Sequence, residues 1–355
     1  MSFLRLESLA KTWPDGTRAV LGADLSIEEG EFVVLLGPSG CGKTTTLRMI
    51  AGLEAPTSGR VLLDGRDVTA LPPSRRDVGF VFQFYALYPH MSVEANVEFP
   101  LRCARVPRTE RRAAVARVAE RLQLEPLLRR RPRELAGGDQ QRVALARAMV
   151  RKPALWLMDE PLGSLDSERR GEMCEFLRAH QLEQKVTTVY VTHDQDEAMR
   201  LADRVVVMSE GEIIQAGSPQ TIYDEPRTLF VARFLGSPGM NLLHGEIRRE
   251  HGFAVFRAQG STAPLRLPTL SRAGPAVLGF RPERAHLDSE GPLEGRIAVE
   301  AFHGSCRYLH VDGGFGRIAV REKADRGGSA GDEVRVSIEQ ESMRVFDVDT
   351  GRRAS

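Results

Sequence analysis

One continuous stretch, from Phe32 to Ala51, constrains the fold of this chain more than any other part of its sequence. Five apolar residues, Phe32 to Leu36, precede the loop Gly-Pro-Ser-Gly-Cys-Gly-Lys-Thr, which runs from Gly37 to Thr44. A continuous apolar run is typical of a strand that is buried on both faces of a mostly parallel sheet. The loop matches the whole G-x-x-x-x-G-K-[ST] pattern, and Thr44 to Ala51 follows as a predicted helix. This order of strand, loop and helix predicts an α/β fold with a phosphate-binding loop.

We expect the loop to hold phosphate mainly with its backbone. Its glycines let N–H groups curl around phosphate oxygens, and the start of the following helix contributes the positive end of its dipole. Lys43 is expected to reach the β- and γ-phosphates of a nucleotide, and Thr44 to offer a hydroxyl to Mg²⁺. The predicted nucleotide contacts are Gly37, Pro38, Ser39, Gly40, Cys41, Gly42, Lys43, Thr44 and Thr45.

Two adjacent carboxylates, Asp159 and Glu160, follow a second apolar run, Ala154 to Met158. If this run is a strand beside the loop, Asp159 can hold Mg²⁺ through water. Glu160 lies one residue further and points in a different direction. It is therefore our candidate for the general base that activates the attacking water. The pair predicts hydrolysis of a bound nucleotide.

Two further motifs complete a set that is much rarer than a phosphate loop alone. His193 follows a later strand, and between the loop and the carboxylates lies the segment Leu135-Ala136-Gly137-Gly138-Asp139-Gln140-Gln141-Arg142. In this order the motifs resemble the ATPase subunit of an ABC transporter, over roughly the first two thirds of the chain. The resemblance implies a P-loop ATPase domain that uses ATP and Mg²⁺.

The resemblance also assigns roles to single residues. Gln83 matches the family's Q-loop glutamine, which touches Mg²⁺ and links the core to a helical subdomain. His193 matches the switch histidine that senses the γ-phosphate. Asp159 and Glu160 match the metal-holding residue and the base at the end of the Walker B strand. Trp13 resembles the aromatic residue that stacks on adenine.

The Leu-x-Gly-Gly segment implies a dimer. Two glycines at a helix start form a second anion site. In the family, two ATPase domains pack head to tail, and this segment of one subunit caps the γ-phosphate of the ATP held by the other. The resemblance therefore implies a homodimer, with a heterodimer as the alternative. It adds nucleotide contacts at Ala136, Gly137, Gly138, Asp139 and Asp166.

Three positions depart from the family's usual pattern. Ala136 and Gly163 stand where relatives usually have Ser, and Asp139 stands where they usually have Gln. Ala136 lacks a hydroxyl that would donate to the partner's γ-phosphate, and losing a hydrogen bond to a charged group costs about 1.5–3 kcal/mol. If that loss acts only in the transition state, it corresponds to about tenfold to a hundredfold in rate. We predict a weakened ATPase that still turns over.

Composition narrows the classes of protein. A length of 355 residues suggests two domains, and 42% hydrophobic with 27% charged residues allows an ample core. The net charge of +1 gives no general attraction to nucleic acid, and the 4 cysteines form no C-x-x-C pair that would suggest zinc or redox chemistry. The longest apolar runs have strand length, so we expect no membrane span and no signal peptide.

Periodicity predicts how the chain is divided. Residues 1–236 are expected to form the α/β ATPase domain, with a helical subdomain at about 89–150. Within that subdomain Thr109 is expected to cap one helix and Gly137 to open another. Residues 237–355 alternate short apolar runs with glycine-rich turns, which predicts an all-β domain similar to an OB barrel.

Two later segments resemble a narrower group of importers. Phe234 to Leu243 looks like the domain junction of ATPases that serve maltose, trehalose and glycerol 3-phosphate importers, and Gly279 to Glu283 looks like the Arg-Pro-Glu element of their TOBE domain. A sugar or sugar derivative is the implied solute; importers of polyamine, iron and sulfate share this layout and remain alternatives.

The resemblance implies several partners. They are two membrane-spanning permease subunits and, indirectly, an extracytoplasmic solute-binding protein, with the chain peripheral on the cytoplasmic face of the membrane. We expect no nucleic acid partner, because the all-β region lacks an evident basic-aromatic stripe.

Overall fold

The computed structural model of this chain divides into two compact units, Met1–Pro219 and Gln220–Ser355. The boundary predicted from the sequence, between 236 and 237, lies further along the chain, after two short helices that the structure groups with the second unit. Ser164, in the segment after Glu160, lies outside the described residues. The structure describes residues 2–163, 165–261, 263–268, 273–325 and 328–354.

The first unit contains both strands and helices, as the sequence predicted. In chain order its described elements are β1 (Ser2–Thr12), β2 (Arg18–Glu28), β3 (Phe32–Leu36), α1 (Lys43–Ala51), β4 (Ser58–Leu63), β5 (Arg66–Asp67), β6 (Val78–Val81), α2 (Val93–Cys103), α3 (Arg108–Arg121), α4 (Gly137–Met149), β7 (Leu155–Asp159), α5 (Ser167–Gln184), β8 (Thr187–Thr192), α6 (Gln195–Leu201), β9 (Arg204–Ser209) and β10 (Glu212–Gly217).

A mostly parallel sheet forms the centre of this unit, in the order β10-β9-β3-β8-β7-β6. All neighbours are parallel except β10 and β9, and β3, β7 and β8 are buried along their whole length. The strands β2, β1, β4 and β5 form a second, antiparallel sheet. Helix α1 packs against strands of both sheets, and the core there includes Leu35, Leu47 and Leu157. The predicted α/β fold is confirmed, and the residues that follow β3, β7 and β8 meet at one edge of the parallel sheet.

The helices α2, α3 and α4 fall inside the segment that the sequence assigned to a helical subdomain. Helix α2 begins after Ser92, whose Oγ accepts a hydrogen bond from the N–H of Ala95 at 3.1 Å. The prediction that Thr109 caps the next helix is wrong, because α3 begins at Arg108 and Pro107 occupies the cap position with φ −56°. The ring of proline presets φ near this value, so the chain enters the helix before threonine is reached.

The rest of the chain is dominated by strands. Its described elements are α7 (Pro219–Asp224), α8 (Leu229–Phe234), β11 (Asn241–Glu250), β12 (Phe253–Ala258), β13 (Leu265–Arg266), β14 (Gly274–Phe280), β15 (Ala285–Leu287), β16 (Leu293–Phe302), β17 (Cys306–Gly313), β18 (Gly316–Lys323), β19 (Glu333–Ile338) and β20 (Arg344–Asp347).

These strands form two antiparallel sheets, in the orders β13-β12-β11-β14-β20 and β15-β19-β16-β17-β18. Their buried side chains form one core, which includes Phe256, Phe280 and Leu309. The prediction of a small all-β domain is confirmed. Among the described residues of the whole chain, no helix is both long and apolar enough to cross a membrane.

Arg281 explains why the two short helices belong to the second unit. Its side chain, 4% exposed, follows β14 and donates hydrogen bonds to the carbonyl oxygens of Tyr223 at 2.7 Å, Ala232 at 3.2 Å and Leu235. Burial lowers the pKa of the Arg281 guanidinium, but three carbonyl partners offset the loss of water. The helices are therefore fastened to the strands by this side chain together with apolar packing, in which Ala232 contacts Val277 and Phe346.

Candidate nucleotide site

The phosphate loop, residues 37–44, joins β3 to α1 at the carboxyl edge of the parallel sheet. Gly42 ends the loop with φ 100°, a conformation that residues with a side chain rarely adopt. A Cβ on Gly37 would collide with the carbonyl oxygen of Met208 and the Sγ of Cys41. The loop therefore lies directly on β9, and the small, buried Cys41 side chain fills the space beside it.

Lys43 brings a positive charge to the base of this loop. Its side chain is 5% exposed, and Nζ donates to the carbonyl oxygens of Gly37 at 2.7 Å and Pro38 at 2.9 Å. Lys43 is also the first residue of α1, and the cap position before it, Gly42, provides no side-chain acceptor. A phosphate can take the place of that acceptor, since helix starts favour anions.

Asp159 ends β7 beside the loop and contacts α1. The hydroxyl Oγ1 of Thr44 donates to Oδ1 of Asp159 at 2.8 Å, and the Asp159 side chain is 2% exposed. Burial raises the pKa of Asp159, while the hydrogen bond from Thr44 acts in the opposite direction. The net upward shift means that the charged carboxylate lacks sufficient compensation from the protein alone.

These residues fit a magnesium site of the nucleotide-dependent kind. Within the described ranges, no cluster of three or more His, Cys, Asp or Glu side chains could hold a metal ion by itself. Mg²⁺ in nucleotide enzymes is usually held by one or two carboxylates together with substrate phosphates and water. The hydroxyl of Thr44, the under-compensated carboxylate of Asp159 and the amide of Gln83 supply oxygen donors of that type.

The residues predicted to be catalytic converge on Glu160. Nε2 of Gln83 donates to Oε2 of Glu160 at 3.2 Å, and Nδ1 of His193 lies 3.2 Å from Oε1. The N–H of Glu160 donates to the carbonyl of Val191 at 3.0 Å, and its φ of 46° lies in the left-handed region. Such strained conformations concentrate at functional sites. The structure thus brings together three side chains that follow three adjacent strands, β6, β7 and β8.

The sequence analysis missed Arg147, which supports the loop after β6. Its guanidinium donates to the carbonyl oxygens of Tyr85 at 2.9 Å and Ala86 at 2.7 Å, and both of these residues have positive φ. Burial lowers the pKa of Arg147. Arg147 lies three and four residues after Ala144 and Val143, which are buried in α4. This helical spacing is the signal that could have identified it.

The Leu-x-Gly-Gly segment forms the start of α4. Ala136 occupies the cap position with an extended backbone and makes no side-chain hydrogen bond. Gly137 and Gly138 begin the helix, and Asp139 in the first turn forms an ion pair with Arg142. The helix start is therefore uncapped by a side chain, but the acid that replaces the usual glutamine is already paired within the same helix.

A cleft of about 750 Å³ connects α4 with the Glu160 cluster. Gln83, Glu160 and His193 line it on one side, and Gln141 lines it from α4. Phe84, which is 84% exposed, contributes an apolar wall. The Glu160 cluster and helix α4 thus line the same open cleft.

Trp13 and Asp166, two predicted nucleotide contacts, interact with residues outside the phosphate loop. Trp13 is in the turn between β1 and β2, and Nζ of Lys11 lies 4.7 Å from its ring. Asp166 caps α5, where its Oδ1 accepts from the N–H of Arg169 at 3.0 Å. Neither contact involves the phosphate loop, and the assignment of both residues to the nucleotide stays a prediction.

Sequences similar to this chain have consistent descriptions. Residues 20–163 match the family model described as ABC transporter, and residues 278–346 match that of the TOBE domain. The chain is 45% identical, over 100% of both chains, to the sn-glycerol-3-phosphate import ATP-binding protein UgpC of Burkholderia thailandensis. It is 42% identical to the protein of the same name from Psychromonas ingrahamii, over 99% of this chain and 95% of that protein.

Solved structures match the first part of the chain. The dimeric post-hydrolysis state of the ATP-binding cassette MJ0796 bound to ADP and Pi has a TM-score of 0.57 and 34% identity, over 61% of this chain and 98% of that one. The structure of cbiO1 from Clostridium perfringens, part of the ABC transporter complex cbiONQ, has a TM-score of 0.57 and 32% identity, over 63% of this chain and 91% of that one.

Proposed function

Because this chain belongs to the family of import ATP-binding proteins of ABC transporters, it hydrolyses ATP to energise an importer, and we propose that Glu160 is the base of that reaction. The observation that carries the proposal is the convergence of Gln83 and His193 on the Glu160 carboxylate. A general base must be ionised and oriented toward the water that it activates. Two polar side chains supply that orientation: Gln83 donates a hydrogen bond to one carboxylate oxygen, and Nδ1 of His193 lies 3.2 Å from the other.

The phosphates of ATP are bound by the loop and by Lys43. Phosphate oxygens replace the carbonyls of Gly37 and Pro38 as partners of Nζ, which exchanges neutral acceptors for charged ones. Ser39 and the loop residues after it contribute backbone N–H groups, and Thr45 extends the contact into α1. Binding thus uses groups that the folded chain already holds in place.

Thr44, Asp159 and Gln83 are the protein residues that would hold Mg²⁺. Bound there, Mg²⁺ supplies the positive charge that neutralises the β- and γ-phosphates during transfer. Asp159 gains a counter-charge for a carboxylate whose pKa is raised by burial, which explains why a buried acid is retained at this position. We propose that His193, beside Glu160, contacts the γ-phosphate.

The start of α4 would cap the nucleotide of a second subunit. Gly137 and Gly138 provide backbone N–H groups there, and a similar solved structure is described as dimeric. Ala136 offers no hydroxyl and Asp139 carries an acid, so capping is weaker than in relatives with Ser and Gln. We propose a homodimer with reduced turnover; a heterodimer whose other subunit has a complete segment is the alternative.

For the solute we propose sn-glycerol 3-phosphate. The support comes from relatives of that description at 41–45% identity. We expect the chain, reconstituted with its permease and solute-binding protein in vesicles, to raise its ATPase rate when sn-glycerol 3-phosphate is added and not when maltose or spermidine is added. Stimulation by maltose alone would contradict this assignment.

The membrane partners follow from the importer family. Two permease subunits carry the solute across the membrane, and we propose that this chain docks on them from the cytoplasmic face. The exposed Phe84 beside Gln83 offers an apolar contact for a permease segment in the cleft described above. A solute-binding protein on the opposite face would act on this chain only through the permease.

Replacing Glu160 tests the proposed base. Glu160→Gln keeps the hydrogen bonds to Gln83 and His193 possible but removes the base, so kcat should fall by about a hundredfold to ten-thousandfold. ATP should then trap a dimer on size-exclusion chromatography. Glu175→Gln, which neutralises an exposed glutamate of α5, is the matched control and should behave like the parent. A Glu160→Gln protein that stays monomeric with ATP and turns over normally would show that Glu160 is not the base.

A further inference from the structure

Arg170, near the start of α5, joins two loops of the site. Its Nη2 donates to the carbonyl oxygen of Leu165 at 2.9 Å, and its Nη1 donates to Oδ2 of Asp194 at 2.7 Å. The remaining nitrogen, Nε, lies 3.6 Å from Oε1 of the buried Glu197. One planar guanidinium therefore fixes the distance between the loop before α5 and the loop before α6.

The contact with Asp194 determines where His193 lies. The other carboxylate oxygen of Asp194, Oδ1, accepts from the N–H groups of Asp196 at 2.8 Å and Glu197 at 3.1 Å, and so caps α6. The N–H of Asp194 donates to Oγ1 of Thr192 at 3.0 Å. His193 is thus held between two anchored neighbours, and its ring contacts the Glu160 carboxylate.

Leu165, the second partner of Arg170, contacts the start of α4. Leu165 is buried, and its Cδ2 would lie only 3.1 Å from a Cβ added to Gly138. The leucine side chain therefore rests on the glycine at the start of α4. A displacement of Gly138 toward the leucine would press on Leu165, because little space separates the two residues along that direction.

We propose that Arg170 is a positioning residue that transmits the engagement of Gly138 by a partner subunit's nucleotide to His193 of the same chain. The path runs from Gly138 through Leu165 and the guanidinium to Asp194, and every step is a contact given above. The inference rests on the proposed dimer function and adds to it a route by which the two ATP sites influence each other. The simpler interpretation, that Arg170 only stabilises α5, makes different predictions.

The test begins with Arg170→Lys in the full chain. An ammonium group can pair with Asp194 but lacks the planar fork that reaches two acceptors in fixed directions. We expect kcat to fall roughly tenfold and KM for ATP to stay within about twofold, because the lost bond serves the closed, reacting dimer. The Hill coefficient for ATP should fall toward that of independent sites. Arg169→Lys, at a neighbouring side chain that is 71% exposed, should leave all three quantities unchanged.

A second variant, Asp194→Asn, keeps the route testable if the first fails to fold. Asparagine still caps α6 through its side-chain oxygen but no longer attracts Arg170 as an anion. We expect the same fall in kcat, and the double variant should be no slower than either single one, because both interrupt one path.

The outcomes separate the two levels of the argument. A parent chain without ATPase activity contradicts the proposed function and this inference with it. An active parent, with Arg170→Lys lowering only the melting temperature, leaves the function intact and shows that Arg170 is merely structural. Additive losses in the double variant would show that Arg170 does not act through Asp194.

Discussion

The starts of α1 and α4 are built from similar parts but have opposite electrical character. Each begins after a cap residue without a side-chain hydrogen bond, Gly42 in one case and Ala136 in the other. The first turn of α1 contains no acid and includes the buried Lys43. The first turn of α4 contains Asp139, whose charge is matched by Arg142.

This difference shows that a helix start alone does not make a complete anion site. Around α1 the chain supplies a curled loop, a buried cation and a carboxylate for a metal. Around α4 it leaves two exposed or half-exposed glycines, and the cation of that first turn's ion pair, Arg142, is already matched by Asp139. Under the proposed function, the first site binds a nucleotide within one subunit, whereas the second engages a nucleotide that is held by a partner.

The largest effect should come from removing the cation that distinguishes α1. Lys43→Met keeps the length of the side chain but leaves the phosphates without their buried partner, so we expect ATP affinity to fall roughly a hundredfold. Equilibrium binding of a fluorescent ATP analogue measures this. Arg66→Met removes an exposed cation of β5 and should bind like the parent. If the Lys43 variant bound ATP as tightly as the parent does, the buried cation could not be what distinguishes the start of α1 from that of α4.

An intermediate effect is expected from replacing Asp159, and it concerns the stability of the folded protein, whereas the Lys43 variant tests ATP affinity. Since burial raises its pKa in the folded chain, an ionised Asp159 destabilises the nucleotide-free protein. Asp159→Asn keeps an acceptor for Thr44 and should stabilise that state by about 0.5–2 kcal/mol while abolishing turnover. Chemical denaturation of the nucleotide-free protein at neutral pH checks the gain.

The stability gained by Asp159→Asn should depend on pH in a defined direction. A carboxyl whose folded-state pKa is raised contributes stability at low pH that is lost as pH rises through the folded pKa. The stability difference between Asp159→Asn and the parent should therefore be small below the ordinary aspartate pKa of about 3.9 and widen above it. A difference that shrinks as pH rises would contradict the assignment of burial as the main cause.

The smallest effect is expected at the cap of α4. Ala136→Ser adds an acceptor for the first N–H groups and a donor for a partner's γ-phosphate, so kcat should rise several-fold, about 1 kcal/mol in the barrier, with little change in ATP affinity. Ala116→Ser, on the exposed part of α3, is the control and should change neither. Activity that is unaffected by Ala136→Ser and appears only after a second ATPase subunit is added would favour the heterodimer.

The parts of the site that sequence could predict are those where one residue type performs one task. Asp159 ends an apolar strand, His193 directly follows one, and Lys43 follows one across the phosphate loop. The parallel sheet then places them at one edge. Arg170 and Arg281 could not be predicted in the same way. The hydrogen-bond partners of Arg281 are backbone carbonyls, which every residue has and no sequence pattern distinguishes. Arg170 contacts one carbonyl and two carboxylates, and the carboxylates, more than twenty residues away, come near it only in the folded chain.

Interactions that no local sequence pattern shows also explain why the boundary between the two units and the cap of α3 differ from prediction. The change in composition after Phe234 marks where strands begin, but the second unit starts earlier because residues far along the chain, Arg281 among them, hold the preceding helices by hydrogen bonds and apolar packing. Thr109 is a good cap in isolation, yet the preset φ of Pro107 determines where the helix starts. In both cases a tertiary or covalent constraint outweighed a local preference.

The attachment of α7 and α8 to Arg281 has a consequence for how this protein is made on the ribosome. Leu235 precedes the arginine that binds its carbonyl by 46 residues. At about 5–20 residues per second, the helices emerge roughly two to nine seconds before their anchor emerges. During this interval Ala232, which packs with Val277 and Phe346 in the finished protein, lacks its neighbours. The nascent chain therefore presents a short apolar helix to chaperones until the strand before Arg281 has followed it out.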